Sequence, residues 1–212
     1  MRHPPKRLAV LASGQGSNLA HIHGEILRGT LDSAQLALVV SNNSASGAME
    51  YARKQGIACQ HISLARFGSD MDAFVAALLS ALREKAIDLI ALAGYMKRLP
   101  DAVVDAYEHQ ILNVHPALLP LFGGASMYGL RVHEAVLAHG CKVSGATVHL
   151  VTKDYDAGPI LLQRCCEVQE GDTPETLGQR VRQIEYEIFP RGIDLIARNK
   201  VRVENGRAIV LN

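Results

Sequence analysis

The chain has 212 residues, 48% hydrophobic and 20% charged, which excludes a disordered segment and allows a buried core without disulfides or metals. With 22 basic and 21 acidic residues the net charge is +1, so no broad field draws the chain to nucleic acid or to an anionic membrane. Recognition of an anion must come from a local site.

Arg2, Lys6 and Arg7 precede an apolar run, Leu8 to Ala12, that is too short for the core of a signal peptide. No stretch approaches a membrane span. The four cysteines, Cys59, Cys141, Cys165 and Cys166, show neither CxxC nor metal-like spacing. A reduced, cytoplasmic protein is expected. Cys165 and Cys166 are neighbours in an expected strand and should point to opposite faces.

Leu8 to Ala12 reads as a buried strand, followed by a helix from Asn18 to Arg28. Leu36 to Val40 is the next strand, and a helix runs from about Gly47 to Gln55. Ala58 to Ile62 is strand-like. Met71 to Lys85 is an amphipathic helix with Phe74, Leu78, Leu79 and Leu82 on its apolar face, and Ile87 to Ala93 is again a strand. This βαβα rhythm predicts an α/β fold with a mostly parallel sheet covered on both faces by helices. Gln110 to Val114 is a short strand ending at His115-Pro116, followed by a loop from Pro120 to Gly129 and a helix from about Arg131 to His139. Ser144 to Val151 and Pro159 to Val168 are strands with an antiparallel step between them. Pro174 opens a long helix reaching about Arg198, which Pro190 should break or kink. Val201 to Leu211 holds Asn205-Gly206, a two-residue hairpin signal. One domain, residues 1–212, is expected.

Three segments could carry chemistry. Ser13-Gly14-Gln15-Gly16-Ser17-Asn18 joins the first strand to the first helix. A glycine-rich turn there lets backbone approach a ligand, and the helix start offers unpaired N–H groups to a phosphate. A capped structural turn would use the same residues. It is not a dinucleotide fingerprint, because Leu19 stands where the third glycine belongs, and the lysine of a P-loop is missing. In Asn113-Val114-His115-Pro116, the residues at i and i+2 project together from a strand end, where a carboxamide and an imidazolium can stabilise an oxyanion. A satisfied polar pair closing the strand is the plainer alternative. Asp154-Tyr155-Asp156 lies in a loop between strands, and either carboxylate near His115 would raise its pKa and fix its orientation. A solvated turn is equally open to these residues. His21 and His23 fall on opposite sides of a helix and suggest no metal.

Five stretches carry a resemblance over nearly the whole length: LASGQGSNL (Leu11 to Leu19), ALAGYMKRL (Ala91 to Leu99), NVHPALLP (Asn113 to Pro120), GATVHLVTKDYDAGPI (Gly145 to Ile160) and RVRQIEYEIFP (Arg180 to Pro190). The chain resembles the tetrahydrofolate-dependent phosphoribosylglycinamide formyltransferases. NVHPALLP alone is shared with other formyl-tetrahydrofolate enzymes, whereas the early GSN is more specific. The resemblance implies a Rossmann-like open sheet of about seven strands, the formyltransferase fold. It implies a cytoplasmic purine-synthesis transferase that moves the formyl group of 10-formyltetrahydrofolate to the amine of phosphoribosylglycinamide. It assigns the phosphate to Gly16, Ser17 and Asn18, and the ribose to Glu185. The folate pocket falls to Met96, Lys97, Arg98 and Leu99, largely through backbone, and to Asn113. Asn113, His115 and Asp156 become the catalytic trio, with Asp156 preferred to Asp154. No metal, nucleic acid or membrane is implied, and a homodimer is left open. The pattern departs near Asp70, where an arginine of the family that meets folate is replaced and only Arg66 is close. The loop from Leu121 to Tyr128 is longer than in some relatives.

A formyltetrahydrofolate hydrolase would share Asn113, His115 and Asp156 and use water as acceptor. It normally carries an N-terminal regulatory domain, whereas here the first strand begins near residue 8. A methionyl-tRNA formyltransferase would need a C-terminal RNA-binding domain, for which the length leaves no room. A dehydrogenase or non-catalytic nucleotide-binding module is disfavoured by the missing third glycine and by Ser41-Asn42-Asn43 where an acidic residue would meet a ribose.

Overall fold

The structure is a computed structural model that describes residues 4–211; Arg2 lies outside the described residues. Seven strands form one sheet: β1 (Lys6–Leu11), β2 (Ala34–Ser41), β3 (Cys59–His61), β4 (Leu89–Leu92), β5 (Ile111–His115), β6 (Val143–Leu150) and β7 (Ile160–Glu167), in the order β3-β2-β1-β4-β5-β6-β7. The first five are parallel, while β6 runs antiparallel to both β5 and β7.

Helices α1 (Ser17–Arg28), α2 (Gly47–Lys54), α3 (Met71–Glu84), α4 (Asp101–Ala106), α5 (Leu130–Ala138) and α6 (Pro174–Ala197) cover both faces. Side-chain alternation along β1 sorts the core. Leu8 and Val10 pack with Leu19 and Ile22 of α1, Ala48 of α2, Val136 of α5 and Phe189 of α6. Ala9 and Leu11 pack with Phe74, Leu78 and Leu82 of α3 and Val103 of α4. Truncating a fully buried member such as Leu8 or Phe189 to alanine costs about 2–5 kcal/mol.

The expected elements are present with shifts of a residue or two at their ends. Two short ones were not expected, α4 and a 3-10 turn over Leu64–Phe67. Helix α6 corrects an expectation, because it runs through Pro190 without a break. The proline ring removes one N–H, but Ile184, Ile188, Phe189, Ile193 and Ile196 are buried on both sides of it in one core, and this packing offsets the lost bond. Strands β8 (Val201–Glu204) and β9 (Arg207–Val210) form the expected hairpin, with Asn205 and Gly206 at φ 50° and 74°, the left-handed pair of a two-residue turn. Cys165 is exposed, while Cys166 is half-buried against the core, so the two do face opposite sides.

Candidate active site

Strands β2 and β3 lie to one side of β1, while β4 and β5 lie to the other. At this reversal the loops leaving β1, β4 and β5 splay apart, which is where open α/β sheets bind ligands. A cleft of about 510 Å3 opens there, lined by the Gly14–Asn18 turn, Ala93–Met96, Asn113–Pro116 and parts of α5, α6 and the Asp156 loop.

The turn is held from behind. Gly16 has φ 79°, and a Cβ on it would stand 2.8 Å from Ala48 Cα, so glycine is required for packing on α2 before any ligand is considered. No side chain caps α1. The N–H groups of Ser17, Asn18 and Leu19 precede the first i→i−4 bond, from Ala20 N–H to Gly16 O at 2.9 Å, and stand free for an anion. Asn18 Nδ2 donates to Glu185 Oε2 at 2.7 Å. Its backbone N–H and the second hydrogen of Nδ2 are left for a phosphate. Burial pushes the Glu185 carboxyl above its usual range, and the Asn18 bond and nearby Arg182 oppose this only in part. Arg182, one turn before Glu185 on α6, also lines the cleft. Sequence reasoning missed it, although its i, i+3 spacing from Glu185 was visible.

Asn113 and His115 end β5 on one side of the strand, as the i, i+2 spacing requires. Asp156 lies over both, and its left-handed φ of 51° marks a loop held by its surroundings. Its Oδ2 is 3.5 Å from His115 Nδ1 and accepts from Gly124 N–H at 2.9 Å. Its Oδ1 is 3.4 Å from Asn113 Nδ2. Asp154 is exposed and offers its carbonyl to the Thr152 hydroxyl. His115 Nε2 sits 2.8 Å from the Phe122 carbonyl, which fixes a proton on that nitrogen.

Asp156 acts on the His115 pKa in the expected upward direction, but a larger effect opposes it. Burial, the largest influence, pushes the imidazole below its ordinary value, and Asp156 and the Phe122 carbonyl pull it back without cancelling that effect. For Asp156 the balance goes the other way. Burial works to raise its carboxyl, but His149 and His115 in their protonated forms, with the Gly124 N–H, hold it below the usual carboxylate range.

Two histidines escaped sequence reasoning. His149 lies directly across from Asn113 on β6 and is 2% exposed. Its Nδ1 is 3.0 Å from the Leu150 carbonyl, so the neutral ring carries its proton there and Nε2 accepts from Asn113 Nδ2 at 3.0 Å. A histidine in the largely apolar Ser144–Val151 run was the signal available. His133 of α5 lines the cleft, is 5% exposed, and has an Nδ1 with no hydrogen-bond partner among the described residues. Burial and the nearby Arg182 push its pKa down to about 4.

The folate set is divided. Met96 lines the cleft and is 49% exposed. Leu99 is in the core with α3 and α4. Arg98 is turned to the Lys153 carbonyl at 2.9 Å and to Asp101. Lys97 is exposed outside the cleft lining. Near the third helix, Asp70 caps α3 by accepting from Ala73 N–H at 3.0 Å, and Arg66 donates to the His61 carbonyl at 2.7 Å. Among the described residues, no group of three or more His, Cys, Asp or Glu side chains could hold a metal ion, and no helix is long and apolar enough to cross a membrane.

Residues 6–193 match the family described as formyl transferase. Over 213 aligned residues the chain is 38% identical to a chloroplastic phosphoribosylglycinamide formyltransferase of Arabidopsis thaliana, covering 99% of this chain and 73% of that protein. It is 37% identical to the phosphoribosylglycinamide formyltransferase of Bacillus subtilis, over 87% of this chain and 91% of the other. The crystal structure of glycinamide ribonucleotide transformylase 1 from Symbiobacterium toebii superposes with a TM-score of 0.92 at 37% identity, covering 100% of this chain and 96% of that one.

Proposed function

The chain belongs to the formyl transferase family, and from that premise we propose that it is a phosphoribosylglycinamide formyltransferase, a single domain over residues 1–212 acting in the cytoplasm. It transfers the formyl group of 10-formyltetrahydrofolate to the amine of phosphoribosylglycinamide. The observation that carries this reading is the grouping of Asn113, His115 and Asp156 in the same cleft as the uncapped start of α1. A substrate with a phosphate at one end and a nucleophile at the other can span these two points.

The phosphate is held by the N–H groups of Ser17 and Asn18 at the α1 start, with Arg182 as counter-charge. Glu185, kept in place by Asn18, accepts from the ribose hydroxyls. Met96 and the Ala93–Tyr95 backbone form the folate wall, with Tyr155 across the cleft.

The neutral amine attacks the formyl carbon, and the carbonyl electron pair moves to oxygen. The attacking nitrogen then carries one proton too many, and the leaving folate nitrogen needs one. His115, neutral at the start because burial depresses its pKa, takes that proton and passes it to the leaving nitrogen as the C–N bond breaks. Asp156 stabilises the transient imidazolium. Asn113 keeps one N–H on His149 and turns the other, at 3.4 Å from Asp156 Oδ1, onto the oxyanion. No covalent enzyme intermediate is needed, since proximity of an activated donor supplies much of the acceleration.

Purified protein given 10-formyltetrahydrofolate, with and without glycinamide ribonucleotide, tests the reading. Tetrahydrofolate release together with formylated ribonucleotide, only when the ribonucleotide is present, supports transfer. Equal release without it would make the protein a hydrolase.

A further inference from the structure

We propose that Ser13 is a positioning residue whose hydroxyl couples the binding of the two substrates. The inference rests on the function proposed above. Ser13 lies just past β1, directly before the phosphate-binding turn, and is 8% exposed. Its Oγ donates to Asn42 Oδ1 at 2.6 Å and accepts from Met96 N–H at 2.9 Å. The carboxamide oxygen of Asn42 can only accept, so the hydroxyl proton is fixed toward it and a lone pair is left facing Met96. The Ser13 N–H donates to Gly94 O at 3.1 Å. One residue therefore ties together the segments leaving β1, β2 and β4.

The next residue continues the contact. Met96 Cε is 3.9 Å from the place a Cβ on Gly14 would occupy, and the Gly14 carbonyl accepts from Ala48 N–H at 3.1 Å. Met96, the folate-wall residue, is thus hydrogen-bonded to Ser13 and stands over Gly14, both ahead of Gly16, Ser17 and Asn18 in the chain. When the α1 N–H groups close on a phosphate, a shift of the turn is carried by the Ser13 hydroxyl to the Met96 backbone. Fixing either side lowers the cost of fixing the other, and by linkage the effect is reciprocal.

The test is calorimetric titration of tetrahydrofolate, which has no formyl group to transfer, alone and with saturating glycinamide ribonucleotide. In the wild type the ribonucleotide should tighten tetrahydrofolate about fivefold or more. In Ser13→Ala the two ligands should still bind singly, but the ratio of the two Kd values should fall to near one. Ser13→Cys, close in size but a poor acceptor, should behave the same way and serves if the alanine variant does not fold. Ser13→Thr, which retains the hydroxyl, should retain the ratio. A wild-type ratio of one would overturn the inference. So would a wild-type ratio preserved in Ser13→Ala or Ser13→Cys, since a lower melting temperature alone would mean that the hydroxyl is only structural. A wild type that binds neither ligand is a different result and refutes the proposed function itself.

Discussion

The Asp156 carboxylate stands between two imidazoles, with Oδ2 3.5 Å from His115 Nδ1 and Oδ1 3.5 Å from His149 Nε2. The two rings are not equivalent. His149 has its proton committed to the Leu150 carbonyl, so it orients Asn113, whereas His115 turns its second nitrogen to Asp156 and can gain a proton there. Asp156→Asn keeps the size and removes the charge that pulls the His115 pKa upward. In an NMR titration, His115 of the wild type should titrate below an ordinary histidine, and in Asp156→Asn lower still. In the same variant kcat should fall by about 100-fold or more. Asp154→Asn, in an exposed loop position, should leave both unchanged. A His115 midpoint that does not move in Asp156→Asn would remove the pairing.

Asn113→Ala removes a donor needed mainly as charge develops on the formyl oxygen. Its kcat should fall by about 10²–10³ while Kd values change far less. His149→Ala leaves the carboxamide in place but takes away the acceptor at 3.0 Å that orients it. Its kcat should drop by about tenfold, the value of one orienting hydrogen bond. Single-turnover rates would separate these losses from product release, and an Asn113→Ala enzyme at nearly full rate would end the oxyanion role.

The sheet, five of its six helices and the hairpin could be read from the sequence because period and turn chemistry agree with the final packing. Gly47–Lys54 and Asn205-Gly206 show this well, the first starting at the Ser46 cap and the second at a left-handed turn. Helix α4 was hidden because Asp101–Ala106 is too short to display a periodic face. Pro190 misled because propensity is local, whereas the packing of α6 is not. At the site, Asn113 and His115 could be paired from strand spacing, but the choice of Asp156 over Asp154 depended on resemblance. His149 reaches Asn113 through strand pairing across 36 residues, and Arg182 reaches the cleft through helix packing about 70 residues on from Asn113, which no local pattern records.

Arg182 is the cation on the cleft wall near the α1 start, so Arg182→Met should raise the ribonucleotide KM by about 10–100-fold and leave the folate KM nearly unchanged. Gly16→Val is a poor probe of the same subsite. Its side chain would run into Ala48 at 2.8 Å and would force a β-branched residue into φ 79°. That variant should lose stability and weaken both ligands together, whereas Arg182→Met should melt at the wild-type temperature. Equal weakening of both ligands in Arg182→Met would take the phosphate away from this corner.

His133 gives a pH signature. Its folded pKa, about 4, lies below the unfolded value of 6.5, so the stability tied to its neutral form is present above pH 6.5 and is lost as pH falls through 4. His115 is shifted in the same direction and adds to the loss. For His133 the difference amounts to about 3 kcal/mol between the two limits. Chemical denaturation at pH 7 and pH 4.5 should show the wild type losing stability, and His133→Gln losing distinctly less. Equal slopes would mean that the ring is solvated and free to charge.

Glu185 should show stability and binding pulling apart. Its carboxyl is pushed above the usual range by burial, so the ionised form carries a folding penalty at neutral pH. Because the folded pKa is raised, stability from the protonated group is fully present below the unfolded value and is lost as pH rises through the folded one. Glu185→Gln removes the charge and keeps an oxygen to accept from Asn18 Nδ2, now 2.7 Å away. The variant should therefore melt at a higher temperature than the wild type at pH 7, and the difference should vanish below the unfolded carboxyl pKa. Its ribonucleotide KM should nevertheless rise by about 10–100-fold, the loss expected when hydrogen bonds to a charged acceptor become neutral ones. Thermal melts at pH 7 and pH 4, paired with initial rates at varied ribonucleotide, read both effects. A stabilised variant with an unchanged KM would leave Glu185 a buried partner of Asn18 and take the ribose contact from it.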